Sequence, residues 1–150
     1  LHLRDAAGTL RFRGLVGEGY GTLLRVEGAP VKKGEKPLSP PLAVERRKAS
    51  KGMPEKLALR LDAKPAAGEP PAPVAEADLA LTPGWHTFEL RWRDGKAQFA
   101  VDDQPAAELA VPSMNLPEAR GPGLLAQARF VFGGPRAALS AIDDVRAWRK

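Results

Sequence analysis

The sequence predicts an all-β domain built as a two-sheet antiparallel β-sandwich. Glycine and proline interrupt the chain roughly every 8 to 15 residues, a spacing typical of short strands joined by turns. Several segments between these breaks alternate apolar and polar side chains, as half-buried strands do. No segment shows sustained helical periodicity, and at most one short helical turn is expected within 117–127. We therefore expect residues 1–150 to form a single domain.

The first half of the chain is expected to supply four strands, at 9–16, 22–27, 42–46 and 56–62. The last of these places Leu57, Leu59 and Leu61 on one face. Between the first two strands, residues 17–21 contain three glycines, which adopt positive φ freely and so favour a turn. The proline-rich segments 37–41 and 64–73 are predicted to be loops.

The second half contains the clearest hairpin signal. Residues 84–93 alternate so that one face is apolar: His86, Phe88, Leu90 and Trp92. Asp94 and Gly95 then form one of the strongest two-residue turn signals, and 97–101 returns as the second strand. Further strands are expected within 74–81, 106–111, 128–134 and 140–148.

The net charge of +5 comes from one segment. Residues 29–56 carry eight Lys or Arg and three Glu, which matches the whole excess. We interpret 30–56 as a basic, proline-rich loop insertion that is mainly solvated. The alternative is a loop that docks a partner through Arg46, Arg47 and Lys48. No aromatic residues are interleaved with these charges, so specific nucleic-acid recognition is not expected.

Two composition limits narrow the possibilities further. The chain has no cysteine, which removes disulfides and thiolate metal sites. No apolar run approaches the roughly 20 residues that a membrane-spanning helix needs.

Three sequence patterns resemble one known family. The pattern Trp85-His86-x-Phe88-x-Leu90-x-Trp92, followed by Asp-Gly and Val-Asp, resembles the central hairpin of laminin-G-like and concanavalin A-like lectin/glucanase jelly-roll domains. The segment AIDDVRAW at 141–148 is similar to their closing strand, and TLRF with the later GTLL is similar to their first two strands. The resemblance implies a jelly roll of two curved antiparallel sheets.

The chain departs from that family at three places. Asp103 stands where the family usually has glycine, and Phe12 is the aromatic residue nearest to the family tryptophan of the first strand. The basic segment 30–54 has no counterpart in the family pattern.

Two aspartate pairs are candidate metal ligands: Asp102 with Asp103, and Asp143 with Asp144. The resemblance implies calcium, because some family members bind it with aspartates at a loop rim, and hard oxygen ligands suit that ion. We favour the simpler interpretation, in which one aspartate of the second pair accepts backbone hydrogen bonds in a bend. No other cofactor is expected.

The outward face of the 84–93 strand is the second candidate site. Trp85, Arg91 and Arg93 lie on it, and Trp and Arg are enriched where proteins make binding contacts. The alternative is that a loop or second layer covers this face and that arginine pairs with Glu89. Both interpretations remain open at this stage.

Catalytic patterns are absent. His86 is expected to be a partly buried core residue hydrogen-bonded to backbone, and a zinc site is not expected. Glu76 and Asp78 form the only strand pair of the kind that glycosidases use, and no third carboxylate completes it. We therefore expect no enzymatic activity.

These observations favour a non-catalytic binding or adhesion module of an exported or cell-surface bacterial protein. Because the chain opens on Leu1, we expect either that a leader was removed or that the sequence is a segment of a longer chain. The module would recognise a glycan or a protein partner, and it could form homo-oligomers. One alternative is a structural subunit or accessory domain of a surface filament or layer. Another is a glycan-active hydrolase whose carboxylates remain unrecognised.

Overall fold

The computed structural model describes residues 8–27, 33–34, 42–61, 67–72, 74–93, 96–110, 129–133 and 138–149. These residues contain ten β-strands and no helix. The strands are β1 (Gly8–Val16), β2 (Gly21–Glu27), β3 (Leu42–Arg47), β4 (Lys56–Leu61), β5 (Val74–Asp78), β6 (Gly84–Arg93), β7 (Lys96–Val101), β8 (Gln104–Ala110), β9 (Arg129–Phe132) and β10 (Leu139–Arg149).

The strands form two five-stranded sheets. Sheet A has the order β10-β1-β6-β7-β8, and sheet B has the order β5-β4-β3-β2-β9. Every pairing is antiparallel. The two sheets enclose one continuous hydrophobic core. The predicted all-β antiparallel sandwich is therefore confirmed, and its architecture is compatible with a jelly roll.

Aromatic side chains connect the two sheets through the core. Phe12 of β1 lies opposite Phe88 of β6, with ring centroids 5.2 Å apart, and Phe88 stacks in turn on Phe99 at 5.9 Å. Phe12 also meets Phe132 of sheet B edge-on at 4.8 Å. Phe12, Phe88 and Phe99 are fully buried, and burial of each such side chain contributes about 1.5–3 kcal/mol to stability.

Leucines supply much of the matching face of sheet B. Leu57, Leu59 and Leu61 of β4 are buried on one face, as their alternation predicts. In β2 two consecutive residues, Leu23 and Leu24, are both buried, because the register with β3 shifts between Thr22 and Leu24. Such a bulge places two neighbouring side chains against the core, which simple alternation does not predict.

The hairpin predicted from 84–101 is present. Strands β6 and β7 pair up to Arg93 and Lys96, and residues 94 and 95 lie outside the described residues. Phe88, Leu90 and Trp92 are buried, as expected, whereas His86 lies at the end of the apolar face and is only half-buried. The alternation therefore predicted the orientation of β6 along its whole length.

The predicted loop insertion at 30–56 requires a correction in its second half. Residues 42–47 form β3, which pairs with both β2 and β4 in the middle of sheet B. The short strand expected within the insertion is thus a central element of the fold. After β3, a turn closed by paired Ser50 and Met53 leads to β4. Of residues 30–41, only Lys33 and Gly34 are described.

The observed bounds of two other strands differ slightly from the predicted ones. Strand β5 ends at Asp78, three residues before the expected end, and β8 begins at Gln104, two residues before the expected start. The helical turn expected within 117–127 lies outside the described residues. The described part of the chain contains no helix long and apolar enough to cross a membrane.

Candidate binding surface

Trp85 is exposed on the outer face of sheet A, near the start of strand β6. Its relative exposure is 46%, in contrast to Trp92 on the same strand, which is 4% exposed and faces the core. The guanidinium carbon of Arg13 lies 5.0 Å from the centre of the Trp85 ring, a cation–π arrangement. Arg13 and Trp85 are diagonal neighbours on β1 and β6, because Leu15 lies opposite Trp85 and Arg13 lies opposite Thr87.

Two rows of side chains surround this contact. The first row is apolar and crosses β6, β1 and β10 through Trp85, Leu15 and Ala141. The second row is polar and crosses the same strands through Thr87, Arg13 and Asp143. We call these six side chains the Trp85 face. An apolar row beside a polar row can contact a ligand that has one apolar face and several hydroxyl groups.

Arg91 is held by a carboxylate on the same sheet. Glu89 is only 6% exposed although it points outward, because Arg91 and Arg11 cover it from two sides. Arg11 also approaches Asp103 at 3.1 Å. Arginine pairing with Glu89, which was one of the two open interpretations, is therefore what the structure shows for Arg91. Arg93 is exposed at the end of β6.

Arg46 does not belong to an exposed surface, which corrects the expectation for this residue. It is 5% exposed and follows Leu42 and Val44 on the core side of β3. Its Nε lies 2.6 Å from Glu55, and its terminal nitrogens donate to the carbonyls of Gly17, Gly19 and Leu81 at 2.7–3.0 Å. The Tyr20 ring covers the guanidinium at 4.5 Å. A buried arginine whose three guanidinium nitrogens all donate hydrogen bonds has a structural role.

The other two basic candidates differ from Arg46. Arg47 points to the outer face of sheet B, where it forms ion pairs with Glu76 and Glu45. Lys48 is exposed at the end of β3. The three consecutive basic residues therefore lie in three different environments, and the structure does not join them into one docking patch.

Asp102 and Asp103 form the two-residue turn between β7 and β8. Both have positive φ, 49° and 64°, and Val101 pairs with Gln104 across them, which is the pattern of a type I′ turn. Positive φ at Asp103 explains why glycine is common at this place in the family that the sequence resembles. The Asp102 carboxylate accepts a hydrogen bond from the Thr87 amide at 2.9 Å.

Asp143 and Asp144 lie at a bulge in β10. Phe12 is the β1 residue opposite this point, and the register shifts between Arg11 and Arg13. Asp144 has φ of 49°, and its amide donates to the Asp143 carboxylate at 2.8 Å. One aspartate therefore accepts a backbone hydrogen bond in a bend, as the simpler interpretation held.

The structure does not bring the two aspartate pairs together. Strands β1 and β6 separate β10 from β7, so the pairs lie about 14 Å apart across the sheet at the usual strand spacing. Among the described residues, no three His, Asp or Glu side chains are grouped to hold a metal ion. Calcium binding by all four aspartates in one site therefore has no geometric support.

His86 connects the loop that precedes β6 to the Asp102 turn. Its Nδ1 lies 2.7 Å from the Asp102 carboxylate, and its Nε2 lies 2.7 Å from the Thr82 carbonyl and 3.3 Å from the Thr82 hydroxyl. The histidine is thus hydrogen-bonded to backbone, in agreement with the sequence interpretation. Burial raises the pKa of Asp102, but the hydrogen bonds from His86 and the Thr87 amide outweigh it and hold that pKa below its ordinary value.

The carboxylate, imidazole and hydroxyl in this order resemble the parts of a nucleophilic triad, but their geometry differs from one. Nε2 lies closer to the Thr82 carbonyl oxygen, which only accepts hydrogen bonds, than to the Thr82 hydroxyl, so it is placed to donate a hydrogen bond to the backbone. An Nε2 that donates cannot take a proton from the Thr82 hydroxyl. In this arrangement the three groups fasten a loop.

A search of protein-family models finds no match to this chain, and a search of curated proteins finds none either. The sandwich architecture and the geometry of the Trp85 face are therefore the observations on which a function can be argued.

Proposed function

We propose that this chain is a concanavalin A-like jelly-roll module that binds glycans, without catalysis, as part of an exported or cell-surface protein. The contact surface is the Trp85 face. One observation carries the proposal: an indole that is 46% exposed on an open sheet face, with an arginine stacked on it.

Energetics supports a ligand at this position. An exposed indole forgoes the burial free energy of about 25 cal/mol per Å² that a contact would recover. Aromatic rings in glycan-binding surfaces stack on the face of a sugar ring that presents C–H groups. Leu15 and Ala141 lie beside Trp85 and extend this apolar contact. Arg13, Thr87 and Asp143 supply hydrogen-bonding groups for hydroxyls in the adjacent row.

The contacts of His86 and Glu76 support the proposal that the chain is not catalytic. The histidine nearest to Trp85 is engaged by Asp102 and the Thr82 carbonyl at 2.7 Å each. Glu76, on the outer face of sheet B, is engaged by Arg47 and Lys56. Both groups are committed to contacts within the fold.

A glycan array followed by calorimetry tests this function. The wild-type chain is expected to retain at least one glycan class, and Trp85→Ala is expected to weaken its binding by about tenfold or more. Val74→Ala is the matched control, because Val74 is also 46% exposed but lies on sheet B. Absence of any retained glycan, or equal losses for the two variants, would overturn the proposal.

A second candidate is a structural subunit of a surface assembly, and β10 favours it. This strand is an edge of sheet A, and Ile142 and Val145 are 42% and 47% exposed on it. Exposed edge strands pair readily with another chain. Analytical ultracentrifugation over a range of concentrations tests this candidate. Self-association that Val145→Lys abolishes is the expected result, and a monomer at all concentrations would contradict it.

A further inference from the structure

We propose that the Trp85 face recognises a glycan that carries carboxylate groups, a uronic-acid-containing chain, with Arg13 as the residue that binds the carboxylate. This inference rests on the glycan-binding function proposed above and names the chemical class of its ligand.

Arg13 differs from the other arginines of its face. Arg11, Arg91 and Arg146 each form an ion pair with an aspartate or glutamate of sheet A or its turns. Arg13 forms none with any residue that the structure describes, and its guanidinium lies over Trp85 instead. A guanidinium without a carboxylate partner, beside an exposed aromatic ring, is a binding group for an external anion.

The residue opposite Arg13 does not neutralise it. Asp143 is its partner across β1 and β10, but the Asp143 carboxylate accepts the Asp144 amide at 2.8 Å. Asp144 in turn pairs with Arg146 at 2.7 Å. Asp143 and Arg13 thus form no ion pair although they lie opposite each other, and the N–H groups of Arg13 remain available to a ligand.

The geometry of the two groups selects a carboxylate. Guanidinium presents its N–H groups in a planar fork that matches the two oxygens of a carboxylate. The contact with Trp85 restricts the position of that fork before a ligand arrives, which lowers the entropy lost on binding. Trp85 and Leu15 can meanwhile contact the apolar side of the sugar ring that bears the carboxylate.

The surrounding charge disfavours a densely sulfated chain. Asp143 lies opposite Arg13 and is exposed, whereas Asp103 at the rim is already paired with Arg11. Repulsion from Asp143 grows with the number of negative charges on the ligand. A uronate carries one charge per sugar and offers hydroxyl donors, which an aspartate can accept. One cation with flanking acceptors thus fits a uronate better than a polysulfate.

The test compares one glycan in two charge states. Hexagalacturonate and its methyl ester have nearly the same shape, and only the first carries carboxylates. Calorimetry with the wild-type chain is expected to show about tenfold to hundredfold tighter binding of the free acid, because hydrogen bonds to charged groups are worth that much. The affinity for the free acid is also expected to fall as salt rises.

Variants assign the preference to Arg13. Arg13→Gln is expected to remove the preference: it should weaken binding of the free acid much more than binding of the ester, so that the two ligands bind about equally. Arg13→Lys keeps the charge but loses the planar fork, so it is expected to retain only part of the preference. Trp85→Ala is expected to weaken both ligands.

The outcomes separate this inference from the function on which it rests. Equal binding of acid and ester, or a preference that survives Arg13→Gln, would overturn the role of Arg13 while the glycan-binding function stands. Retention of only sulfated or neutral glycans on the array would overturn the uronate and leave the function intact. If no glycan binds at all, both fail together.

Discussion

The Arg46 guanidinium and the Glu55 carboxylate meet at 2.6 Å inside one end of the sandwich, where their side chains are only 6% and 13% exposed. Glu55 also accepts the Leu81 amide at 3.2 Å and the Tyr20 hydroxyl at 3.4 Å. Through these bonds and those of Arg46 to Gly17 and Gly19, one ion pair fastens three separate connections. The pair closes the core at the end where β1 leaves sheet A.

Replacement of Arg46 by methionine is expected to lower the free energy of unfolding by about 3–5 kcal/mol, because it leaves Glu55 buried without its counter-charge. Arg47→Met is the control, since Arg47 is the next residue of β3 but pairs on the outer face, where ion pairs contribute about 1 kcal/mol or less. Urea denaturation of both variants measures the difference. Similar losses for the two would contradict a structural role that is specific to Arg46.

The two aspartates of the β7–β8 turn are expected to respond differently to glycine. Asp102→Gly removes the hydrogen bonds to the Thr87 amide and to His86, and we expect it to cost about 1–2 kcal/mol. Asp103→Gly relieves the strain of a left-handed backbone conformation, which glycine adopts more easily than aspartate does. It removes only an exposed ion pair with Arg11, so its effect is expected to stay within about 0.5 kcal/mol. Thermal and urea unfolding of the two variants provide the comparison, and a larger loss at Asp103 would be evidence against these assignments.

Stability is expected to fall in mild acid because three carboxyl groups, those of Glu45, Glu76 and Asp102, have lowered pKa values in the folded chain. The hydrogen bond and charge of Arg60 lower the pKa of Glu45 below 4.5 against the opposing effect of burial, and the pKa of Asp102 lies below 3.8. A carboxyl whose folded pKa is depressed stabilises the fold above its unfolded pKa, and this contribution is lost as pH falls through the folded pKa.

The sign of this effect can be measured directly. The free energy of unfolding is expected to be flat above about pH 5.5 with respect to these groups and to decline as the pH approaches 3. Asp102→Asn is expected to make that decline shallower, since one of these three groups no longer titrates. A variant with the same slope as the wild type would remove Asp102 from the explanation.

Gly14 is expected to tolerate no side chain. A methyl group there would lie 2.8 Å from Leu139 Cδ2 and 2.9 Å from Phe88 Cε2, so Gly14→Ala is expected to cost about 1–3 kcal/mol through overpacking. Gly17→Ala is the matched control, because the only close atom there is the Ser140 hydroxyl, which can rotate away. A chemical-denaturation series on both variants gives the two losses, which should differ clearly.

The alternation of apolar and polar residues was enough to predict which face of each long strand points to the core. It could not predict which distant residues each side chain contacts. The faces of β4 and β6 followed from their own residues, since leucines and aromatics at every second position can only face the core. Arg46 continues the same alternation after Leu42 and Val44, so its orientation was present in the pattern. What the pattern lacked was Glu55 and three backbone carbonyls, which come from distant loops and make burial of the charge possible.

Only part of the Trp85 face was predictable from the sequence. The outward position of Trp85 followed from its strand alone. Arg13 was missed, because its contact with Trp85 depends on the pairing of β1 with β6, which are far apart in sequence. Its position among the polar residues of β1, two after Arg11, was the one available signal.

The pairing of β1 with β10 has a consequence for how this fold can be joined to other chains. Gly8 lies opposite Arg149, so the first and last of the described strands are neighbours, about 5 Å apart. A domain with this arrangement can be inserted into a surface loop of another domain without moving the two ends of that loop apart. It also accepts circular permutation, in which a short linker joins β10 to β1 and new ends open in a hairpin turn. That rearrangement makes the most distant strand pair local in sequence and should speed folding, while both sheets stay unchanged.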